Sequence, residues 1–323
     1  MRILSTRIGR IGLFAALCLL LTLSAFSQLK LRKAMDYDGD GKADFTVFRP
    51  SNNVWYINKS NGTGVIATQF GLAGEDYQTP GDYDGDGIGD ISVFRDTTGI
   101  WYRFNSSDGT FHASNFGVTG DEPVARDYDG DGKTDIAVVR RTNGLMIWYI
   151  QHSADTNYSA VQWGLSTDFT APGDYDGDGK FDICVQRGGA TTTSQATFYA
   201  LLSSNSSVLA QPWGFINDLI VPGDYDGDGK TDFAVVREGT TPASNLTWYI
   251  LRSSDGGVVV DTFGLTGSDI NTQNDYDGDG KCDIAVWRDT NGTFYYRKSS
   301  NGDVGAFQWG ASNDYAVASY DTH

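Results

Sequence analysis

Short runs of β-branched and aromatic residues, separated by turns rich in Asn, Gly, Asp and Thr, recur along the chain after residue 35. The first run of each repeat ends in arginine, as FTVFR does at Arg49. An aromatic pair such as Trp55-Tyr56 begins the next run, and an aromatic-glycine pair such as Phe70-Gly71 ends the third. Helical periodicity is absent from this part of the sequence, so the pattern predicts about four short strands in each repeat.

A nine-residue acidic motif, DYDGDG-x-x-D, precedes every run that ends in arginine. Its copies start at residues 36, 82, 127, 174, 224 and 275, which are 46, 45, 47, 50 and 51 residues apart. An internal period of this length is typical of arrays built from one supersecondary unit. Six units of four strands predict an all-β fold, a six-bladed β-propeller of four-stranded blades arranged radially.

The C-terminal segment predicts how the ring closes. After Trp309-Gly310 the chain continues as ASNDYAVASYD, which imitates the segment before the fourth motif but stops before a complete motif. We therefore expect Tyr315 to Ser319 to complete the first blade beside Phe45 to Arg49. Residues 28–323 would then form one β-propeller domain of six repeats.

Each motif offers oxygen ligands for a hard divalent cation, and Ca²⁺ is the occupant that such a set predicts. Glycines at the fourth and sixth positions permit the backbone turns that wrap the chain around an ion. Carboxylates are predicted to come from positions one, three, five and nine, and a backbone carbonyl from position seven, which gives about six Ca²⁺ ions. The predicted ligands are Asp36, Asp38, Asp40, Lys42 and Asp44; Asp82, Asp84, Asp86, Ile88 and Asp90; Asp127, Asp129, Asp131, Lys133 and Asp135; Asp174, Asp176, Asp178, Lys180 and Asp182; Asp224, Asp226, Asp228, Lys230 and Asp232; and Asp275, Asp277, Asp279, Lys281 and Asp283.

Other interpretations of the motif fit less well. One DxDxDG alone would be read as a polar surface turn, but six intact copies favour a metal site. A phosphate-binding loop is excluded by its glycine spacing and its carboxylates, which would repel phosphate. An EF-hand needs an acid at position twelve, where this chain has valine in every copy, inside a predicted strand.

The repeats, from Asp36 through Trp309-Gly310, resemble FG-GAP or VCBS-type repeats, the calcium-bearing blades found in integrin α-subunit propellers, some lectins and many exported bacterial proteins. The resemblance covers nearly all of the chain after residue 35. It implies that the calcium loops lie on one face, between the first and second strands of each blade. It also implies that ligands bind elsewhere, on the opposite face or between blades.

The net charge of −17 comes mainly from the motifs, which supply 24 of the 41 acidic residues. Six divalent ions would reduce that charge to −5, so the acidity is mostly a supply of ligands. A basic stripe that could neutralise phosphates is absent, so nucleic acid is not an expected partner.

The first 27 residues predict a secretory signal peptide. Three arginines, Arg2, Arg7 and Arg10, precede an apolar run from Ile11 to Leu23, and Ala25 and Ser27 suit cleavage before Gln28. The run is shorter than the roughly 20 residues that span a bilayer, so we expect export to the outside, the cell surface or the periplasm, without membrane insertion. Cys184 and Cys282 occupy non-equivalent places in non-adjacent repeats, so a disulfide is not expected.

No catalytic motif stands out. His112, His152 and His323 are isolated in the sequence and are interpreted as surface residues, and the acids Asp96 and Asp289 as turn residues. The repeated arginines and aromatic pairs suit packing between blades, although exposed aromatic residues also recognise sugars. Repeats four and five carry longer turns, Gly188 to Ala196 and Glu238 to Asn245, which are either a recognition surface or tolerated insertions.

Together these features predict a secreted, calcium-binding β-propeller that is not an enzyme and acts as an adhesion or protein-interaction module. The alternatives are a carbohydrate-binding lectin and, as a third candidate, a polysaccharide-cleaving enzyme. The expected partner is an extracellular protein or glycan.

Overall fold

The computed structural model describes residues 34–155 and 157–318, which fold into six four-stranded antiparallel sheets. Blade one contains β1 (Phe45–Arg49), β2 (Val54–Asn58), β3 (Val65–Gln69) and the C-terminal β24 (Tyr315–Ala316). Blade two contains β4 (Asp76–Gln78), β5 (Ile91–Arg95), β6 (Ile100–Phe104) and β7 (Phe111–Asn115). Blade three contains β8 (Glu122–Pro123), β9 (Ile136–Thr142), β10 (Leu145–Gln151) and β11 (Tyr158–Leu165).

The other three blades follow the same order. Blade four contains β12 (Phe169–Thr170), β13 (Ile183–Arg187), β14 (Gln195–Leu201) and β15 (Val208–Phe215). Blade five contains β16 (Leu219–Ile220), β17 (Phe233–Arg237), β18 (Asn245–Leu251) and β19 (Val258–Leu265). Blade six contains β20 (Asp269–Asn271), β21 (Ile284–Arg288), β22 (Thr293–Arg297) and β23 (Val304–Gln308). The predicted six-bladed β-propeller is confirmed.

The second strand of each blade is the centre of its core. In β5, for example, the four residues before Arg95 are all buried, because neighbouring blades cover both faces of the strand. Such continuous apolar runs are typical of strands that are buried on both sides. The outer strands, such as β3, alternate between exposed and half-buried positions, as strands with one solvated face do.

The aromatic pairs pack as predicted, and their first members are buried. Trp101 is completely buried, and its indole N–H donates to the Phe116 carbonyl at 2.8 Å. A second kind of indole contact joins neighbouring blades, because Trp309 Nε1 in blade six donates to the Tyr56 carbonyl of blade one at 3.0 Å. The buried first members are therefore core residues rather than sugar-binding platforms.

The ring closes where the sequence predicts. In β24, Ala316 pairs with Val47 and Tyr315 with Phe48, so the C-terminal strand becomes the first strand of blade one. The Arg49 guanidinium binds both carboxylate oxygens of Asp314 at 2.8 Å, which ties the two ends of the ring together. Ser319 lies outside the described residues.

Every blade contains an ion pair like the one at Arg49. The terminal arginine of the second strand binds a buried aspartate just before or within the first strand, and its guanidinium lies over the tyrosine of the aromatic pair. The six pairs are Arg49–Asp314, Arg95–Asp76, Arg140–Asp121, Arg187–Asp168, Arg237–Asp218 and Arg288–Asp269. These arginines therefore hold strands of one blade together, whereas the sequence suggested packing between blades.

In repeats four and five, the turn after the second strand spans fewer residues than predicted. Strand β14 begins at Gln195 and β18 at Asn245, so the connecting segments are residues 188–194 and 238–244. Both leave the far end of a second strand, whereas the acidic motifs precede that strand. The turns therefore lie on the face opposite the motifs.

The predicted signal peptide, residues 1–27, lies outside the described residues. Within residues 34–155 and 157–318, no helix is long and apolar enough to cross a membrane. Both cysteines of this part of the chain are free thiols, and Cys184 is fully buried in β13.

Candidate metal centres

The acidic motifs form six equivalent loops on one face of the propeller. Each loop joins the first strand of a blade to the second, and in blade one it leads into β1 from the N-terminal side. In five blades a bridge such as Gly81 to Asp90 clamps the two ends of the loop together. The placement implied by the family resemblance is therefore confirmed.

The first loop shows how the motif wraps its own carboxylates. Asp36 accepts hydrogen bonds from the backbone N–H of Gly39 at 2.7 Å and of Gly41 at 2.8 Å. Both glycines have left-handed φ angles, +77° and +87°, which other residues rarely adopt. Asp38 and Asp40 each accept an N–H from two residues further along the chain, so the backbone turns around the carboxylates.

The ninth residue of the motif binds the start of the loop and the neighbouring turn through its carboxylate. Asp44 Oδ2 accepts the Tyr37 N–H at 2.6 Å, and its Oδ1 accepts the Ser60 N–H at 2.7 Å. The same two bonds recur in every blade. All six position-nine carboxylates are buried, namely those of Asp44, Asp90, Asp135, Asp182, Asp232 and Asp283.

Sequence reasoning did not identify the serine turn that binds each loop. This turn joins the third and fourth strands of the blade, and its first serine also donates its hydroxyl to the position-five aspartate in five blades, as Ser106 does to Asp86 at 3.1 Å. The next residue contacts position three, as Ser107 does to Asp84. The sequence does carry a signal for this turn. In five repeats a Ser-Ser or Ser-Ala pair is followed by Asn or Asp, and in repeat one Ser60-Asn61 is followed by Gly62.

The structure brings predicted ligand atoms together within single loops. Carboxylate oxygens of positions one, three and five lie within 4.8 Å of one another in loops one to three, and those of positions one, three and nine do so in loop four. These groups are Asp36, Asp38 and Asp40; Asp82, Asp84 and Asp86; Asp127, Asp129 and Asp131; and Asp174, Asp176 and Asp182. Coordination by the position-seven carbonyls stays a prediction.

The lysines of position seven direct their side chains to the neighbouring loop. Lys133 covers Gly85 of the preceding loop, where an added Cβ would lie 2.8 Å from Lys133 Cε. Lys180, Lys230 and Lys281 cover the equivalent glycines of the loops before them, and Lys42 covers Gly278 of the sixth loop. The side chains of these lysines therefore pack between neighbouring loops.

A closed ring of backbone hydrogen bonds connects the six loops. The N–H of position eight in each loop donates to the carbonyl of position one in the loop before it. The donor and acceptor pairs are Gly89 and Asp36, Thr134 and Asp82, Phe181 and Asp127, Thr231 and Asp174, Cys282 and Asp224, and Ala43 and Asp275. Their lengths are 2.6–2.9 Å. A displacement of one loop therefore acts directly on the next.

Without a cation, the buried carboxylates of the loops are costly to ionise. It raises the pKa of Asp135 to about 6 and that of Asp232 to about 7, against the hydrogen bonds that each carboxylate accepts. The same cause raises the pKa of Asp44 and Asp174 to about 7. A divalent cation would favour the ionised form of these groups, because an opposite charge lowers a carboxyl pKa.

His152 is not an isolated surface residue, so that interpretation is wrong. It precedes the serine turn of blade three, and its Nδ1 lies 3.8 Å from Asp129 Oδ2 and 3.8 Å from Asp135 Oδ2. The turn folds back on the loop and joins residues that are well separated in the sequence. Asp129, Asp135 and His152 therefore form a mixed carboxylate-imidazole group in the third loop.

The donor set of the loops fits a hard divalent cation. Apart from His152, the converging groups are carboxylate oxygens, which Ca²⁺ prefers, and glycine turns leave room for a coordination sphere of six to eight oxygens. The carboxylates run from buried at position nine to largely exposed at position five, so an ion could enter from solvent. The repeated aspartate clusters can therefore bind metal ions.

A cavity of about 860 Å³ lies at the centre of the propeller, between the first strands of blades two to five. Its lining includes Tyr77, Glu122, Phe169 and Leu219, which follow the paired aspartates of those blades at equivalent positions. Phe169 is 47% exposed, and Glu122 binds Thr170 and Arg141. Asp96 also lines this cavity and accepts the Gly120 N–H, which agrees with its interpretation as a turn residue.

Comparison with known proteins finds a family match in two regions of the chain. The FG-GAP-like repeat matches residues 36–93 and 127–185. Each match begins at the first aspartate of a motif and continues through the following motif into its strand. No curated protein sequence matches the chain.

Solved structures with similar architecture are distant in sequence. The Dos1 propeller is 11% identical, with a TM-score of 0.42 over 83% of this chain and 73% of its own. Apo AztD from Citrobacter koseri is 10% identical, with a TM-score of 0.42 over 85% of this chain and 97% of its own. A putative 6-phosphogluconolactonase from Bacteroides uniformis is 9% identical, with a TM-score of 0.43 over 86% of this chain and 98% of its own.

The family match, the six motifs and the closed ring of four-stranded sheets lead to one conclusion: this chain is a six-bladed β-propeller that contains FG-GAP-like repeats.

Proposed function

We propose that the six aspartate loops bind Ca²⁺, one ion per loop, and that the metal stabilises an exported propeller whose work is binding rather than catalysis. The observation that carries this proposal is the repeated burial of the position-nine carboxylate beside three further aspartates of the same loop. Ca²⁺ suits this set better than Mg²⁺, because Mg²⁺ dehydrates reluctantly and needs near-ideal octahedral geometry.

Calcium would act through the coupling between metal binding and folding. Removal of the ion would leave four carboxylates close together in each loop, and their repulsion would loosen the turn. At free calcium 100 times the dissociation constant, one site adds about 2.7 kcal/mol to stability. Several such sites would together exceed the usual stability of a domain, about 5–15 kcal/mol.

Thermal unfolding of the mature protein with millimolar calcium and after metal stripping tests this proposal, together with native mass spectrometry to count bound ions. We expect about six ions and a large loss of stability on stripping. Asp232→Asn should reduce the count by one, because it removes the charge of a buried ligand. Asp303→Asn, at an exposed turn outside the motifs, is the matched control. An unchanged melting temperature and no bound ions would refute calcium binding.

The binding role is proposed for the face opposite the loops. The loops are hydrogen-bonded to each other and to the serine turns, whereas the opposite face carries the segments 188–194 and 238–244. We propose an adhesion or protein-interaction module, whose partner is an extracellular protein. Cross-linking of the calcium-loaded protein to extracellular proteins, with deletion of residues 190–193, tests the role of these turns.

A lectin is the second candidate, because aromatic side chains are exposed around the centre of the propeller. Phe169 is 47% exposed and Tyr315 is 53% exposed, and Phe169 lines the central cavity next to Thr170. An apolar ring beside hydroxyl and carboxyl groups suits the faces and hydroxyls of a sugar. Glycan-array binding that Phe169→Ala abolishes and Phe111→Ala retains would favour the lectin. Phe111 is the control because it is 59% exposed but lies on the outer strand β7. Trp101, a completely buried residue, is unsuited to this test.

A further inference from the structure

The third loop differs from the other five in one nearby residue. The residue before the first serine of the turn is Lys59, Asn105, His152, Leu202, Arg252 and Lys298 in blades one to six. Only His152 in this set carries a side chain that is a common ligand of transition metals. The third loop therefore has a donor that the other loops lack at this position.

The imidazole of His152 is held against the carboxylates of the loop. Its backbone N–H donates to the Asn157 carbonyl at 2.8 Å, and the following Ser153 N–H donates to Asp135 Oδ1 at 2.7 Å. These bonds fix the backbone on both sides of the ring. Nδ1 is buried and has no hydrogen-bond partner among residues 34–155 and 157–318.

The spacing of the three donor atoms is close to that of ligands of one metal ion. Nδ1 lies 3.8 Å from an oxygen of Asp129 and 3.8 Å from an oxygen of Asp135. Zn²⁺ binds nitrogen and oxygen ligands at about 2.0–2.2 Å, so two ligands of a tetrahedral ion lie roughly 3.4 Å apart. Both distances from Nδ1 are therefore within about 0.4 Å of that spacing, and all three donor atoms lie within 4.8 Å of one another.

The chemistry of the donors then separates this loop from its neighbours. Ca²⁺ and Mg²⁺ take oxygen ligands, whereas neutral imidazole is a ligand for Zn²⁺, Cu²⁺ and Ni²⁺. We propose that the third loop binds a transition-metal ion of the Zn²⁺ type through His152 Nδ1, Asp129 and Asp135, in place of Ca²⁺ when both ions are present. Asp129 also belongs to the cluster with Asp127 and Asp131, whose oxygens are close enough to supply further ligands.

This inference deepens the proposed metal-binding function but is tested separately from it. The competing explanation is that a protonated His152 forms an ion pair with the two carboxylates and compensates their charge without a metal. Both explanations use the same contacts. They differ in whether the wild-type protein takes up a zinc ion that depends on His152.

Isothermal titration with Zn²⁺ in saturating calcium, supported by native mass spectrometry, decides between them. We expect one zinc ion bound by the wild-type protein, and a loss of affinity of at least about 10–100-fold in His152→Leu and His152→Asn, since loss of even an outer-shell partner has that effect. These variants copy Leu202 and Asn105 of other blades, so the turn should still fold. His112→Asn, at an exposed histidine outside the loops, should bind zinc like the wild type.

Each outcome has a definite meaning. Equal zinc affinity in the wild type and both His152 variants, or no zinc binding at all, would overturn the inference and leave the ion pair. Calcium at six loops with no zinc would overturn this inference alone. One His152-dependent zinc ion in a protein that binds no calcium would uphold this inference while the calcium proposal fails.

Discussion

The Ala43 N–H donates a hydrogen bond to the Asp275 carbonyl at 2.7 Å, so the first aspartate loop is bonded directly to the sixth. The two residues are far apart in the sequence, and their bond completes the ring that the other five loops form between neighbours. The position-one aspartate also supplies a predicted calcium ligand. A movement of that residue therefore displaces the carbonyl to which the next loop is hydrogen-bonded. The six loops therefore form one mechanical unit.

Cys282 offers a probe of this ring. It is the position-eight residue of the sixth loop, and its Sγ lies against Gly223 of the loop before. Burial raises the pKa of the Cys282 thiol, so the reactive thiolate is scarce at neutral pH. In Cys184→Ala, we expect a thiol reagent to label Cys282 slowly in calcium and at least about tenfold faster after chelation, because the loops loosen first.

The control for this experiment is the second cysteine. Cys184 lies fully buried in strand β13, and burial raises the pKa of its thiol as well. In Cys282→Thr, which copies Thr134 and Thr231, labelling of Cys184 should stay slow until the propeller unfolds. Equal acceleration at both cysteines would show global unfolding instead of loop opening.

The ion pair between Arg49 and Asp314 should contribute more to stability than a surface pair does. Asp314 is nearly fully buried and accepts two guanidinium bonds and the Ala311 N–H. Removal of one partner of a buried pair costs about 3 kcal/mol, since the other charge is left without compensation. We expect Asp314→Ala to lower the free energy of unfolding by roughly that amount in urea titrations. Asp303→Ala, at an exposed position, should have little effect, and equal effects of the two variants would contradict the prediction.

Size complementarity between neighbouring loops gives a third prediction. Gly173 precedes the fourth motif, and a Cβ there would lie 2.7 Å from Thr231 Cγ2 of the next loop. Gly173→Ala should therefore destabilise the protein by about 1–3 kcal/mol through overpacking. Thr231→Ala in the same chain should recover most of that loss, because it removes the atoms in conflict. Additive effects in a double-mutant cycle, measured by chemical denaturation, would exclude this contact as the cause.

Much of the fold could be predicted from the sequence because its strongest signals are local and repeated. The run FTVFR predicts a strand ending at Arg49, and β1 spans those residues. The first strands are only two or three residues long, too short for a periodic pattern, as Glu122–Pro123 in β8 shows. Their positions follow from the ring as a whole.

The serines that bind the loops were not predicted, because their separation from the motif along the sequence is large and varies between blades. Ser60 follows Asp44 by 16 residues, but Ser203 follows Asp182 by 21, because the turn between the second and third strands is longer in blade four. The arginine partners have a steadier signal, since the paired aspartate precedes the arginine by 19 residues in five blades. That constant separation could have identified them before the fold was known.

Because the position-nine carboxylates are buried, we expect the stability of the fold to depend on pH in opposite directions with and without bound metal. In the metal-free protein, burial raises the pKa of Asp135 to about 6 and of Asp232 to about 7, above the value of about 3.9 for an unfolded aspartate. Between about pH 4 and pH 7 the folded chain therefore holds more protons than the unfolded chain. Under this linkage, stability is highest below pH 4 and falls as the pH rises to 7.

Calcium reverses the sign, because protons then compete with the ion for the same oxygens. As the pH is lowered from 7.5 to 5.5, we expect the melting temperature of the metal-stripped protein to rise and that of the calcium-saturated protein to fall. The two melting temperatures should therefore converge. Differential scanning calorimetry of both forms at several pH values measures this. Asp232→Asn, which cannot take up a proton there, should weaken the rise in the stripped protein. A metal-stripped wild type that loses stability over the same range would show that these carboxylates are ionised without a cation.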